Sequence, residues 1–444
     1  MLAIKVGIIS LGCPKNLVDS EVMLGLLKEN GFEITSNEND ADILIINTCA
    51  FIEDARKESL DAISESVKIS KRQKSKIIVT GCLSQRYSKL LEKQFRSNIH
   101  AILGAGDFYD IVQACKSALN GEKFRKISEP STYIYDHKTP RLTSTPSHFA
   151  YVKIAEGCDN CCSYCVIPQI RGQYRSRSIE SILAEINGLF KSGVKEAILI
   201  AQDTTYYGKD LNDNTDLVSL LKSLISYSEI PWIRVLYAHP EHITDDFIEL
   251  MAKEERICSY IDLPIQHISD DILKKMGRGS TGKEIRKLLN KIRDKIPDVT
   301  LRTSLMVGFP SETDEHFSEL IEFIKDIKFD HIGVFAYSPE EGTVAETMTD
   351  QVPESIKQDR LTQIAELHAS ISDEKRRSLI GRKLKAIIDD TDKSRNQSYA
   401  RTQGQAPEID DIVIIDGIAK KGEFATVEII GTSNIYDLVG KVVG

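Results

Sequence analysis

Three short apolar, β-branched runs open the chain, and a cysteine closes each of them. Lys5-Val-Gly-Ile-Ile-Ser-Leu-Gly leads to Cys13, Asp42-Ile-Leu-Ile-Ile-Asn-Thr to Cys49, and Lys76-Ile-Ile-Val-Thr-Gly to Cys82. Runs without polar alternation predict strands buried on both faces, as in a parallel sheet. Helical patterns separate them, Ser20 to Asn30 closed by Gly31 and roughly Glu53 to Ser70. In an open α/β sheet the carboxyl ends of neighbouring strands line the ligand crevice. Cys13, Cys49 and Cys82 are therefore expected to converge. Free cysteines are often simply buried, but strand-then-cysteine repeated three times argues for a three-thiolate cluster site.

From Phe149 the pattern alternates strand and helix. Strand-like runs are Phe149–Ala155, Ala197–Ala201, Trp232–Tyr237, Tyr260–Leu263, Thr300–Val307 and His331–Ala336. Helical patterns lie between, such as Ser181–Lys191, Asp245–Lys253, Lys283–Arg293 and Glu315–Ile327. Six such units without an antiparallel signal predict a parallel β/α barrel or partial barrel. A long helical stretch, about Pro353 to Ser378, closes it. The tail changes character: Leu384–Asp389, Ser398–Arg401, Ile412–Ile415, Ala425–Ile430 and Tyr436–Val439 read as short strands with Gly and Asp turns, which suits a small antiparallel β-barrel. The expected class is α/β, in three units: residues 1–127 an open parallel α/β sheet, 148–378 the barrel, 379–444 the small β-barrel. Residues 128–147, rich in Pro, Ser and Thr, read as a linker.

Composition narrows the class without naming a chemistry. The 444 residues are 41% hydrophobic and 28% charged, the profile of an ordinary globular protein. No apolar run approaches membrane-spanning length, and the amino terminus is no signal peptide. Nine cysteines without an export signal point to a reducing cytoplasm and to metal use rather than disulfides. A net charge of −9 argues against a chain devoted to broad phosphate-backbone binding. Lys71 to Lys76 and Arg171 to Arg177 are local basic candidates. Cys115 and Cys258 read as packing residues.

The densest chemistry lies at Cys158, Cys161, Cys162 and Cys165, just after the first barrel strand. Barrels of this kind place active sites at the carboxyl face. Thiolates are the ligands of iron–sulfur clusters, and three ligands to a four-iron cubane leave one iron open. Zinc would want a fourth Cys or His, and none follows within about twenty residues. Spacing alone leaves Cys161 and Cys162 as alternatives, since their thiols are chemically equal.

The C-x3-C-x2-C reading, with Tyr164 before the last cysteine, resembles the radical S-adenosylmethionine (SAM) enzymes, and the resemblance selects Cys162 over Cys161. Ser10-Leu-Gly-Cys-Pro-Lys-Asn-Leu-Val-Asp-Ser-Glu21 resembles the amino-terminal signature of the methylthiotransferases, specifically the branch that modifies a ribosomal protein rather than tRNA. Gly157 to Gly172 matches that family's radical-SAM loop, apart from Cys161. Tyr399 to Asp410 and Tyr436-Asp-Leu438 resemble its TRAM domain. The resemblance spans essentially the whole chain.

It implies two 4Fe–4S clusters, one on Cys158, Cys162 and Cys165 and one on Cys13, Cys49 and Cys82, with SAM as cosubstrate. It implies an electron donor such as flavodoxin or ferredoxin. SAM would be cleaved to a carbon radical that removes hydrogen from an unactivated carbon, a step no acid–base residue can perform. The implied product is a methylthio group on the β-carbon of an aspartate in the S-twelve protein of the small ribosomal subunit; a tRNA adenosine is the alternative. Tyr164 is expected beside the SAM adenine. Gln202, Asp203 and Arg302, then Gln266 and Ser304, fall near the barrel's active face and could contact SAM or substrate, or merely stabilise loops. His267 reads as loop-stabilising.

The tail bears on the substrate. From residue 400 onward four residues are basic (Arg401, Lys420, Lys421, Lys441) and seven acidic (Glu408, Asp410, Asp411, Asp416, Glu423, Glu428, Asp437). A domain gripping tRNA should be basic. Acids suit a basic protein loop, and Glu408, Asp410 and Asp411 are the expected docking cluster.

Overall fold

The β-branched runs of the first unit form the centre of a six-stranded sheet. The computed structural model describes residues 3–128, 133–433 and 436–443. In chain order the unit runs β1 (Lys5–Ser10), α1 (Pro14–Glu29), β2 (Glu33–Ile34), β3 (Ile43–Thr48), α2 (Glu53–Gln73), β4 (Lys76–Gly81), α3 (Cys82–Phe95), β5 (Ala101–Leu103), α4 (Ile111–Leu119) and β6 (Phe124–Lys126). The strands are ordered β2-β1-β3-β4-β5-β6, and every pair is parallel. β3 is buried throughout, as its continuous apolar run requires. The expected helix from Ser20 starts earlier, at Pro14. A proline at the first helical position has no N–H to leave unsatisfied, so it opens α1 directly after Cys13 instead of breaking it. β2, β5 and β6 are two or three residues long, too short to show a period in sequence.

The second unit is the partial barrel. It comprises β7 (Phe149–Lys153), β8 (Ala155–Glu156), α5 (Ile167–Arg171), β9 (Arg175–Ser176), α6 (Ile179–Lys191), β10 (Glu196–Ile200), α7 (Leu217–Tyr227), β11 (Trp232–Val235), α8 (Asp245–Lys253), β12 (Tyr260–Asp262), α9 (Asp270–Lys275), α10 (Gly282–Lys295), β13 (Thr300–Val307), α11 (Asp314–Ile327), β14 (His331–Ala336) and α12 (Glu354–Ser378). β7, β10 and β11 pair in parallel, as do β12, β13 and β14. A parallel bridge between Ile233 and Ile257 carries the curve from one half to the other. The outer helices are amphipathic, and side-chain caps start them: Ser178 for α6, Asp216 with Ser219 for α7, Thr244 for α8, Thr281 with Glu284 for α10 and Thr313 for α11. Their apolar faces and the strands share one large core. No helix among the described residues is long and apolar enough to cross a membrane.

The tail forms a closed barrel of β15 (Lys383–Asp392), β16 (Gln397–Thr402), β17 (Val413–Asp416), β18 (Phe424–Ser433) and β19 (Asp437–Val442). Most pairs are antiparallel, but β17 and β19 close it in parallel. Ala386, Ile388, Ala400, Val413, Ile415, Val427, Ile429 and Leu438 fill its interior.

The stretch between sheet and barrel is a packed strap. Residues 129–132 of the expected linker lie outside the described residues. Beyond them, Leu142 N donates to Glu21 O at 2.9 Å, and Pro140 lies where a β-carbon on Gly25 would be. Arg141 reaches Glu21 at 2.5 Å and Glu185 at 2.6 Å, joining α1 to α6.

The acids expected to dock substrate take another role, and this corrects the reading of the tail. Asp410 has a fully buried side chain. It accepts from Tyr260 Oη at 2.7 Å and Arg302 Nη1 at 3.0 Å. Asp411 is largely buried against His331. Only Glu408 is exposed, and it accepts from Tyr151 Oη at 3.2 Å. Complementary partners on β12, β13 and β14 make these acids junction residues between tail and barrel. Asp410→Ala would leave Arg302 with only Asp262, at 3.7 Å. A broken buried pair costs about 3–5 kcal/mol, so urea unfolding should shift to lower denaturant and the tail should become the first unit cut by protease. An unchanged transition would show that the junction does not rest on this pair.

Candidate active site

Helix starts place the first set of cysteines. Cys13 caps α1, Cys82 is the first residue of α3, and Cys49 directly follows β3, four residues before the start of α2. All three therefore sit at the carboxyl edge of β1, β3 and β4. Asn16 and Asn47 lock the geometry: Asn16 Nδ2 donates to Leu11 O at 2.7 Å, and Asn47 Nδ2 to Asn16 O at 2.8 Å. Gly12 has φ +86°, and a β-carbon there would lie 2.8 Å from Cys49 Sγ. Only glycine lets the Cys13 loop approach Cys49 so closely.

The second set lies in the loop after β8. Gly157, at φ +84°, has no room for a side chain because Gln173 O would meet it at 2.0 Å. This turn brings Cys158 N to Gly172 O at 3.1 Å and folds the loop back. Cys162 Sγ receives Arg278 Nη1 at 3.8 Å. Cys161 points away: it is exposed, and its thiol reaches only Asp159 O at 3.7 Å. Tyr164 packs against Ile272, Met276 and Phe309.

Burial dominates the thiol chemistry in both sets. It pushes Cys49 up to about 12, with Cys82 and Cys13 adding to the rise, and raises Cys82. It pushes Cys158 up to about 11 and Cys165 up to about 12, with Cys162 contributing to both. Binding a metal centre would release these protons. Among the described residues neither set brings its three sulfurs all within 4.8 Å of one another. A single tetrahedral ion with ~2.3 Å bonds needs sulfurs about 3.8 Å apart. Three thiols in each set are the donor type of an iron–sulfur cluster.

A buried ionic network joins the two halves. Lys153 pairs with Asp19 of α1 and with Glu156 at 2.5 Å. Arg171, at the end of α5, pairs with Asp19 at 2.7 Å and donates to Cys82 Sγ at 3.6 Å. One residue of the barrel loop thus touches a cysteine of the sheet. Burial opposes the charge on Glu156, but Lys153 and Arg171 outweigh it and hold its carboxyl down at about 2. These residues carried no sequence signal beyond charge in an otherwise apolar context.

The expected SAM or substrate contacts divide. Gln202 donates to Glu156 at 2.7 Å, and its Oε1 is buried without a partner. Asp203 accepts from Asn160 of the cysteine loop at 2.9 Å and lies 2.7 Å from His242 Nδ1. Burial pushes the Asp203 carboxyl up, yet His242 brings it below its ordinary range. His239 completes a group with Asp203 and His242. Its Nδ1 accepts from Glu241 N, so the ring serves the hydrogen-bond shelf under the loop. Arg302 lies deeper, on one face of β13 with Ser304, committed to Asp262 and Asp410. Gln266, at φ +70°, pairs through its backbone with Ser304 and Met306. His267 is fully buried and accepts from Ser269 N at 3.0 Å. Cys115 and Cys258 are buried in the core shared by sheet and barrel.

Each of the three units matches a known family. Residues 5–104 match the uncharacterized protein family UPF0004, residues 152–324 the radical SAM superfamily, and residues 380–443 the TRAM domain. Among solved structures, the radical SAM methyltransferase TsrM of Kitasatospora setae superposes with a TM-score of 0.56 at 14% identity, covering 76% of this chain and 77% of that one. OxsB, a cobalamin-dependent SAM radical enzyme, gives 0.51 at 12%, over 83% of this chain and 58% of that one. At these identities the likeness is one of fold. Sequence relatives reach further. The ribosomal protein uS12 methylthiotransferase RimO of Desulforamulus reducens is 49% identical over 98% of this chain and 99% of that one. Those of Syntrophotalea carbinolica and Geobacter sulfurreducens are 45% and 44% identical, each over 99% of this chain and at least 97% of the relative. With radical SAM and TRAM units in register and identity sustained from end to end, this chain belongs to the RimO family of radical SAM methylthiotransferases.

Proposed function

We propose that this chain adds a methylthio group to the β-carbon of an aspartate in ribosomal protein uS12, using SAM and two 4Fe–4S clusters. Cys158, Cys162 and Cys165 would hold the cluster that engages SAM, and Cys13, Cys49 and Cys82 the other. When bound, the clusters would supply one-electron cleavage of SAM and a seat for the sulfur to be transferred. The observation that supports this most is Arg171, which ties the sheet's cysteine set to the loop of the barrel's set, so both sets border one interior.

The protein's own groups do the positioning. Arg278 and Tyr164 flank Cys162, setting a cation and an aromatic hydroxyl beside that sulfur. Asn160, Asp203 and His242 brace the loop from beneath. Gln202 offers its unpartnered Oε1 toward a polar ligand group. The Lys153–Asp19–Arg171–Glu156 network holds the sheet over the barrel mouth and excludes water. The division near residues 127, 147 and 378 follows the same reading, with a reductant such as flavodoxin or ferredoxin serving the barrel.

The test is an anaerobic assay of the reconstituted enzyme with SAM, reductant and a sulfide source. Small ribosomal subunits and total tRNA are supplied separately and digested for mass spectrometry. A methylthioaspartate in uS12 is the expected product. A methylthioadenosine in tRNA with unmodified uS12 would instead make this a tRNA enzyme.

A further inference from the structure

A half-buried lysine where sheet meets barrel has neither a counterion nor a hydrogen-bond acceptor among the described residues. Lys15 follows Cys13 and Pro14 in the first turn of α1. Its ammonium lies 3.2 Å from the ring centroid of Tyr237, which follows β11 at the barrel's carboxyl face. Lys15 thus reaches from the sheet's cysteine set into the barrel mouth. Arg278 donates to Pro264 O at 2.6 Å and to Cys162 Sγ, and Lys153, Arg171 and Arg302 each have a carboxylate within 4.0 Å. Among the described residues Lys15 has none, and no oxygen takes any of its three N–H donors. The nearest acids are committed elsewhere. Asp262 accepts from Tyr237 N at 3.0 Å and faces Arg302. Glu156 is held by Gln202, Lys153 and Arg171.

Tyr237 itself is held in an unusual conformation. Its φ is +63°, which a bulky residue rarely adopts. Its N–H on Asp262 and its carbonyl, which accepts from Thr204 N at 2.9 Å, keep it there. Strain of this kind persists where the surroundings enforce it and concentrates at ligand clamps. Here it puts the ring beneath Lys15.

We infer that Lys15 receives the side-chain carboxylate of the substrate aspartate, and so selects aspartate over uncharged residues and over a nucleobase. The inference rests on the proposed function: a carbon served by both cysteine sets has to lie where sheet meets barrel, and Lys15 crosses from one to the other at Tyr237. An aspartate β-carbon brings a carboxylate one bond away. Taking that anion out of water is unfavourable without an opposite charge and hydrogen bonds. The ammonium supplies both, and the start of α1 adds positive potential. A nucleobase brings no such anion.

The test uses anaerobically reconstituted holoenzyme and two labelled peptides copied from the target loop of uS12, one with the target aspartate and one with asparagine there. Affinity is read by fluorescence anisotropy, and product by mass spectrometry, on samples matched for iron content and EPR signal. The unaltered enzyme should bind the aspartate peptide about 30-fold or more tighter than the asparagine peptide. Lys15→Gln should bind both alike, at the weaker level. Lys15→Arg, which keeps the charge, should retain most of the discrimination. Undiminished preference for aspartate in Lys15→Gln overturns the inference. So does equal loss in Lys15→Arg and Lys15→Gln, which would point to packing rather than charge. If the unaltered enzyme modifies tRNA and ignores uS12 and both peptides, the proposed function fails first and takes this inference with it.

Discussion

Alanine at Cys13, Cys49 and Cys82 together is expected to halve the iron of the reconstituted protein, from about eight to about four per chain, and to abolish methylthio transfer. SAM should still be cleaved by reductant, because no residue of the barrel loop is altered. The three thiols are buried or half-buried and take part in no ladder of the sheet, so their loss leaves strands and helix starts in place. Arg171 loses a sulfur contact but keeps Asp19 and Glu156, which should preserve the docking of sheet on barrel. Iron assay and EPR report cluster number; 5′-deoxyadenosine reports cleavage. A triple variant that kept all its iron would mean that the sheet's cysteines hold nothing.

The neighbouring cysteines Cys161 and Cys162 should behave as opposites. Cys162→Ala is expected to bring SAM cleavage to background, and Cys161→Ala to leave most of it. Cys162 shares its loop interior with Cys158 and Cys165, each of whose protons it helps to retain, and it receives Arg278. Cys161 is exposed, with its sulfur directed at its own loop backbone. The comparison needs only iron content and 5′-deoxyadenosine yield for the two variants. A cleaving Cys162→Ala beside a silent Cys161→Ala would reverse the ligand assignment.

Much of this architecture was legible along the chain because the physics behind it is local. Continuous β-branched runs that cannot face water predict buried parallel strands, and Ile43–Thr48 is one. Strand alternating with amphipathic helix predicted the six barrel strands, and those runs recur as β7 and β10 to β14. What escaped was either too short to have a period, as with β2, β5 and β6, or dependent on a partner far along the chain. Asp410 looked like a surface charge, as most aspartates are. Its partners Arg302 and Tyr260 lie 108 and 150 residues away, and nothing local announces them. Asp19, Lys153 and Arg171 likewise gain their meaning only when α1 lies over the barrel.

By itself the sequence determined the types of element, their order, and the six cysteines at strand ends and in one loop, because backbone sterics, hydrophobic periodicity and thiolate chemistry act over a few residues. Only the tertiary structure decided that Cys161 is exposed while Cys162 meets Arg278, that two tail acids are buried at a junction, that the strap is packed, and that Lys15 of the sheet lies over Tyr237 of the barrel. Those outcomes depend on which charges meet in the interior, where desolvation makes an unmatched group costly, and that matching is settled between residues dozens to more than a hundred positions apart.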